Sequence, residues 1–272
     1  MNRAVIADFQ NTIYQHYDQL GRHDLAWRLP EADGSFNDYK IMVSELMLQQ
    51  TQVARVSIKY PEFLATFPTV QALAVAELGD VLRVWSGLGY NRRAKFLHQA
   101  ARMIVQDLGG IFPNSVAGLV ALPGVGVNTA GAIVAYAYNQ PVVFVETNIR
   151  TVYIHHFFRN DASVSDKQIT NVAELTLDSE HPRIWYWALM DYGSFLKSSV
   201  GNVGKISTTY AKQSKFVGSR RQIRGMIIKQ LSIRPLSLSD LLSGISDERL
   251  HSVLAELIAE GLISQTGPVY SL

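Results

Sequence analysis

The chain has 272 residues, 47% of them hydrophobic, with 25 Lys and Arg against 23 Asp and Glu and a formal net charge of +2. That length allows one large domain plus a small one with an ample apolar core, and no uninterrupted apolar run is long enough to span a bilayer. Cysteine is absent altogether, which excludes disulfides, thiol nucleophiles and any cysteine-ligated cluster. The N-terminus carries Asp8 and polar residues where a signal peptide would be apolar, so a soluble cytoplasmic protein is expected.

Apolar residues recur at helical period through most of the chain. The pattern predicts helices over residues 2–20, 39–51, 56–67, 70–84, 91–108, 115–121, 128–138, 148–158, 166–177 and 184–196. Pro61, Pro68, Pro113, Pro123, Pro141 and Pro182 are read as helix starts or connections. Residues 201–218, rich in Gly, Ser, Thr and Lys, read as a basic linker. Beyond it come three short helices (222–230, 237–242 and 247–260) and two short strands around a turn within 261–270. No acidic residue falls between Asp191 and Asp240, while nine Lys and Arg do, among them Lys212, Lys215, Arg220 and Arg221, a plausible strip for phosphate contact.

The most informative stretch is LVALPGVGVNTAGAIVAYAYNQPVVFVETNIR, from Leu119 to Arg150. A glycine turn, Leu122-Pro123-Gly124-Val125-Gly126, separates two apolar helical segments, and both glycines suit a turn too tight for side chains. The helix after it would start near Val127–Thr129 with outward backbone N–H groups, a natural holder for a nucleic-acid phosphate. Glu146 follows Val142, Val143, Phe144 and Val145, which places its carboxylate at the edge of apolar packing, where a carboxylate becomes chemically useful.

These residues resemble the helix-hairpin-helix, Gly/Pro–Asp superfamily of DNA base-excision glycosylases. Two further motifs resemble its MutY-like adenine glycosylase branch: Ser44-Glu45-Leu46-Met47-Leu48-Gln49-Gln50-Thr51-Gln52-Val53, and Trp85-Ser86-Gly87-Leu88-Gly89-Tyr90 followed by Arg92 and Arg93. Trp27-Arg28 lies upstream, and the resemblance runs from about Leu25 to Leu196. It implies an all-α fold: a two-lobed helix-hairpin-helix glycosylase module over 1–200, with an inner six-helix lobe at about 31–140 and a second lobe from 1–30 plus 141–200. The three helices and terminal strands at 219–272 resemble a winged helix, with a third helix only weakly basic.

The resemblance also implies roles. Cleaving a purine N-glycosidic bond needs protonation of the departing base and an anion beside the oxocarbenium-like sugar. Glu45 matches the acid that protonates adenine N7, Glu146 the sugar-side carboxylate, and Asn148 a partner for Glu146 or a catalytic water. Arg28 matches a residue that orients the acid. Gln50 matches a wedge into the duplex, Tyr90 a second intercalating side chain, and Leu88 and Thr51 contacts to the orphaned opposite base. Gly124, Val125, Gly126, Asn128, Thr129, Arg92, Arg93, Lys212, Lys215, Arg220 and Arg221 are the candidates for DNA phosphates. Asn128 stands where bifunctional relatives such as endonuclease III carry a nucleophilic lysine, so a monofunctional enzyme with no lyase step is expected.

Two departures from the pattern matter. The family has aspartate where this chain has Glu146, one methylene longer. Altered geometry and a changed or lost activity both stay open, and the intact Asn148 and Arg150 favour activity. Most relatives carry an iron–sulfur cluster just after the stretch matching Asp191–Phe195; here LKSSVGNVGK follows, without ligands. No cofactor is expected, with a monovalent cation at the hairpin left open and no metal site at the adjacent His155 and His156. The larger domain that reads 8-oxoguanine in the family has no room. The expected partner is duplex DNA holding a mispair or lesion, met by a monomer, and the expected substrate is adenine opposite 8-oxoguanine or guanine. Thymine or uracil opposite guanine, a modified base, and a silent lesion binder are the alternatives.

Overall fold

The computed structural model describes residues 1–272. In chain order the helices are α1 (Arg3–Leu20), α2 (Asp38–Leu48), α3 (Val53–Thr66), α4 (Val70–Val75), α5 (Leu78–Trp85), α6 (Arg92–Gln106) and α7 (Val116–Val120). Then come α8 (Val127–Tyr138), α9 (Thr147–Phe157), α10 (Asp166–Thr176), α11 (Pro182–Ser199) and α12 (Arg220–Leu231). The chain ends β1 (Leu236–Ser237), α13 (Leu238–Gly244), α14 (Leu250–Ala259), β2 (Ser264–Thr266) and β3 (Val269–Ser271). The fold is all-α but for one small antiparallel sheet of order β1-β3-β2. No helix is long and apolar enough to cross a membrane.

Two compact units share the chain: Met1–Ile41, Asn114–Val120 and Gly126–Lys212 form the first, and Met42–Pro113, Ala121–Val125 and Gln213–Leu272 the second. In the first unit α1, α9 and α11 pack through aromatic rings, Phe9 lying edge-on to Trp185 and tilted against Tyr153. Tyr136 stacks on Trp187 and Phe144 on Tyr186. Helix α8 belongs here because it is buried almost all round, and Gly131 lets the Phe144 side chain lie where a Cβ would stand 2.8 Å away. His156 sits between Phe9 and Tyr192, and burial, then the neighbouring His155, pushes its pKa down to about 4, as suits a core histidine. A buried ion cluster closes the unit: Arg28 donates to both oxygens of Asp191 at 2.8 and 2.9 Å, and Arg22 also donates to that carboxylate. Burial pushes the Asp191 carboxyl up, yet its bonds from Arg28 and Arg22 outweigh this and hold it below the usual range.

In the second unit Phe63 meets Trp85 edge-on between α3 and α5, and the C-terminal helices and sheet pack with α5 and α6. Lys95 donates to the Glu260 carbonyl, and a Cβ on Gly79 would come within 3.1 Å of the Leu272 carbonyl oxygen. Ser237 and Asp240 form a capping box that starts α13 directly from β1.

Several expectations need correction. The predicted helix over 70–84 is two helices, broken at Ala76, whose carbonyl is taken by His98 Nε2 at 3.0 Å. Pro61 lies inside α3 rather than at a boundary; Ser57, the residue one turn earlier whose carbonyl it leaves unpaired, is exposed to water. Helix α8 clusters with the first unit. The stretch 201–212 is no free linker. Val164 pairs with it through Val164 N to Ile206 O and Thr208 N to Val164 O, both at 2.9 Å, and Thr209 reaches Asp166. Nor does the C-terminal module stand apart, because it clusters with Met42–Pro113.

Candidate active site

In the first unit the chain leaves the buried Phe144-Val145 pair and enters α9 at Glu146, the N-cap residue. Asn128, on the first turn of α8, fixes that entry. Its Nδ2 donates to the Val145 carbonyl at 3.2 Å and its Oδ1 accepts from the Val145 amide at 3.3 Å, so one side chain pairs with a backbone as a neighbouring strand would. Asn128 therefore positions Glu146 directly, a use beyond the absent lysine.

Glu146 is half-buried at the positive end of α9, between two cations. Burial raises its pKa, while Arg150 and then Lys197 pull it back. Arg150 is held in a two-pronged pair with Asp166, the first residue of α10, at 2.8 and 3.0 Å, and Thr209 Oγ1 also donates to that carboxylate at 3.2 Å. Lys197 comes from α11, and its Nζ donates to Asn148 Oδ1 at 2.6 Å. The expected partner of Asn148 is Glu146 or a catalytic water; its amide oxygen is engaged by this lysine, which leaves the amide nitrogen as the donor for either. The approach depends on Gly193, where a Cβ would lie 2.3 Å from the Asn148 carbonyl oxygen. Burial, then Arg150, lowers the pKa of Lys197, with Glu146 opposing. Lys197 is the residue the sequence reading missed as a site member: only its place in a basic run was visible.

Arg28, expected to orient the acid, donates from its two terminal nitrogens to Asp191.

In the second unit Glu45 lies half-buried on α2 among the buried Met42, Ser44, Leu46 and Met47. Helix α2 ends at Leu48, two residues before Gln50, which turns left-handed at φ 56°, and Tyr90 adopts φ 48° behind Gly87 and Gly89, both also positive. Both turns close on Arg93. Its Nη1 donates to the carbonyls of Leu46, Met47 and Gln49 at 2.7, 2.8 and 2.6 Å, and its Nη2 to Thr51 Oγ1 and the Gly89 carbonyl at 3.0 Å. Burial pushes its pKa down to about 10. Arg93, expected at a phosphate, is 8% exposed and holds the two loops together. Leu88 is 2% exposed, so its side chain packs in the core rather than facing an orphaned base, and Thr51 spends its hydroxyl on Arg93. Gln50 and Tyr90 are exposed, as wedges must be.

The hairpin divides its glycines. Gly124 has φ 78° and a Cβ would sit 2.6 Å from Phe96 Cβ, whereas Gly126 has an ordinary φ of −83° and open space. Only the first is demanded by the turn. The Val125 amide donates to the Leu122 carbonyl at 3.2 Å and its side chain is buried, so it is turned inward rather than toward a phosphate. Thr129 is buried, and Val127 and Gly126 are exposed, with no side chain capping α8. Among the basic candidates Arg92, Lys212 and Lys215 are exposed, Arg220 pairs with Glu256, and Arg221 donates to the Tyr90 hydroxyl. No thiolate follows α11, so these residues do not fit an iron–sulfur cluster.

Residues 43–176 match the HhH-GPD superfamily of base excision DNA repair proteins. Among solved structures, a thermostable thymine-DNA glycosylase aligns with TM-score 0.64 at 22% identity, covering 75% of this chain and 93% of that one. An endonuclease III trapped on DNA aligns at 0.59 and 19%, covering 72% and 87%. That likeness establishes the fold as a helix-hairpin-helix glycosylase fold. The adenine DNA glycosylase of Mycolicibacterium smegmatis is 33% identical over 270 residues, 92% of this chain and 90% of that protein. Those of Buchnera aphidicola and Homo sapiens are 36% and 37% identical over 192 and 198 residues; the chain spans 52% and 36% of their lengths. The chain belongs to the adenine DNA glycosylase family, whose members are hydrolases of N-glycosyl bonds in DNA.

Proposed function

We propose that this chain is a monofunctional glycosylase that removes adenine mispaired with 8-oxoguanine or guanine from duplex DNA. The observation that carries the reading is Glu146, half-buried at a helix N-terminus yet flanked by Arg150 and Lys197. Burial raises its pKa, and the two cations oppose that rise and so favour the ionised form, which is what an anion facing an oxocarbenium-like sugar must be. Glu45 donates a proton to N7 of the extruded purine, so the base leaves neutral, and water completes the hydrolysis at C1′. Glutamate in place of aspartate is compatible with this role because the site fixes the chain ahead of it at Val145 through Asn128.

Two observations support the reading without a lyase step. Asn128 has no nucleophilic amine, and the Lys197 amine donates to Asn148. The test is a panel of labelled duplexes with A opposite 8-oxoguanine, A opposite G, T opposite G and U opposite G, each assayed with and without alkali. Alkali-dependent cleavage at adenine alone supports the reading. Cleavage at thymine or uracil moves the substrate, cleavage without alkali removes monofunctionality, and binding without any cleavage leaves a silent lesion binder.

A further inference from the structure

Four polar side chains from three stretches of the second unit meet at one exposed edge. Gln213 Nε2 donates to Gln50 Oε1 at 3.2 Å and to the Tyr90 hydroxyl. Arg221 Nη1 donates to the same hydroxyl at 2.5 Å, and its guanidinium carbon lies 5.7 Å from the centre of the Tyr90 ring. Arg221 is fixed from behind by the Ser214 carbonyl at 2.6 Å. Gln50 and Tyr90 are two of the three non-glycine residues with positive φ in the chain. Backbone in that region persists where the surroundings enforce it and clusters at functional sites.

The neighbouring charges explain why Arg221 differs from its neighbours. Arg220 pairs with Glu256 at 2.5 Å, and Arg224 with both Glu256 and Glu260, at 3.6 and 2.5 Å. The carboxylates of α14 are thus matched, and Arg221 alone of the three turns toward Tyr90. A merely structural seam would be served by apolar packing. This one is polar and open to water, where such bonds add little stability. Its chemistry is that of base reading: a guanidinium with donors only, and an amide with both a donor and an acceptor.

We propose that Gln213 and Arg221 read the base left unpaired opposite the extruded nucleotide, and that they select a keto base with a neighbouring ring N–H, as guanine and 8-oxoguanine present. Its O6 accepts from the guanidinium and its N1–H donates to the Gln213 amide oxygen. Adenine and cytosine place an amino group where the keto oxygen must stand, and Arg221 has no acceptor for it. The C-terminal segment thereby supplies opposite-base specificity. The inference rests on the glycosylase reading only in taking Gln50 and Tyr90 as the residues that enter the duplex.

The test uses the full chain and duplexes holding a stable tetrahydrofuran abasic analogue opposite G, 8-oxoguanine, T, A or C, so that binding is read without catalysis. The parent is expected to bind the G and 8-oxoguanine duplexes about tenfold more tightly than the A and C duplexes. Arg221→Lys and Gln213→Leu should bring that ratio near one, the loss falling chiefly on the G and 8-oxoguanine duplexes, and melting temperatures confirm folding. An unchanged ratio in the variants, an equal loss on all five duplexes, or a parent without preference overturns the inference. A parent that discriminates opposite bases yet cleaves none supports it while removing the glycosylase reading, and one that cleaves adenine with unaltered selectivity in both variants does the reverse.

Discussion

Lys197 and Asn148 are joined by a 2.6 Å hydrogen bond from Nζ to Oδ1, which fixes an ammonium group beside the first turn of α9 and in the field of Glu146. On the proposed reading Glu146 works ionised, so the rate falls as pH drops through its pKa, which burial raises and the charges of Arg150 and then Lys197 lower. In Lys197→Gln the second of these lowering influences is gone. The acidic limb of the single-turnover pH profile therefore moves to higher pH, and the rate at the parent's optimum drops. A limb that stays in place would show that Lys197 exerts no hold on Glu146.

Gly193→Ala puts a methyl group 2.3 Å from the Asn148 carbonyl oxygen, a contact only backbone movement can relieve. Overpacking of this kind costs about 1–3 kcal/mol. We expect a lower urea midpoint together with slower excision, because the displaced segment carries Asn148 and Glu146. Ser194→Ala, on the exposed face of the same helix, is the control and should alter neither.

Asn128→Ala removes both bonds to the Val145 backbone, each worth about 1 kcal/mol net. The larger effect is kinetic, since a misplacement near 1 Å can cost on the order of a hundredfold in rate. Excision under single-turnover conditions should fall at least about tenfold while DNA affinity stays close to the parent's. Equal excision rates would remove Asn128 from the positioning of Glu146.

Arg93→Lys keeps a cation but loses the planar fork that serves carbonyls on both loops. Several buried acceptors are then left short of donors, at about 1–3 kcal/mol each. Stability should fall by about 3 kcal/mol in urea titration, far more than for Arg92→Ala at the exposed neighbour. Equal stabilities for the two variants would contradict the buried role of Arg93.

What the sequence made legible was local. The Gly124 turn, the helix after it and the apolar approach to Glu146 are neighbours in the chain, and their residue types dictate backbone geometry directly. Lys197 was not legible, because it lies 49 positions from Asn148 and reaches it through a glycine whose value shows only when two helices are in contact. Arg93 was misjudged for a related reason: a basic residue beside an exposed arginine looks like surface until the carbonyls around it are known. Nor could the sequence show that Leu88 is buried or that Arg28 is paired with Asp191, since both depend on residues far along the chain. Pro61 and Ala76 show tertiary contacts and solvent deciding where helices break, over the local preferences that periodicity records.

Helix α1 finds its partners far along the chain: Phe9 packs on Tyr153 and Trp185, and Tyr14 donates to Asp178 across 164 positions. On a ribosome, at roughly 5–20 residues per second, that helix emerges on the order of ten seconds before the surface that will cover it. Its apolar face is meanwhile open to solvent and to other nascent chains, while residues of the second unit are threaded out in between. Production of this protein should accordingly depend on translation speed and on holding chaperones more than its finished stability would suggest, and a circular permutant beginning near residue 126 would shorten the wait.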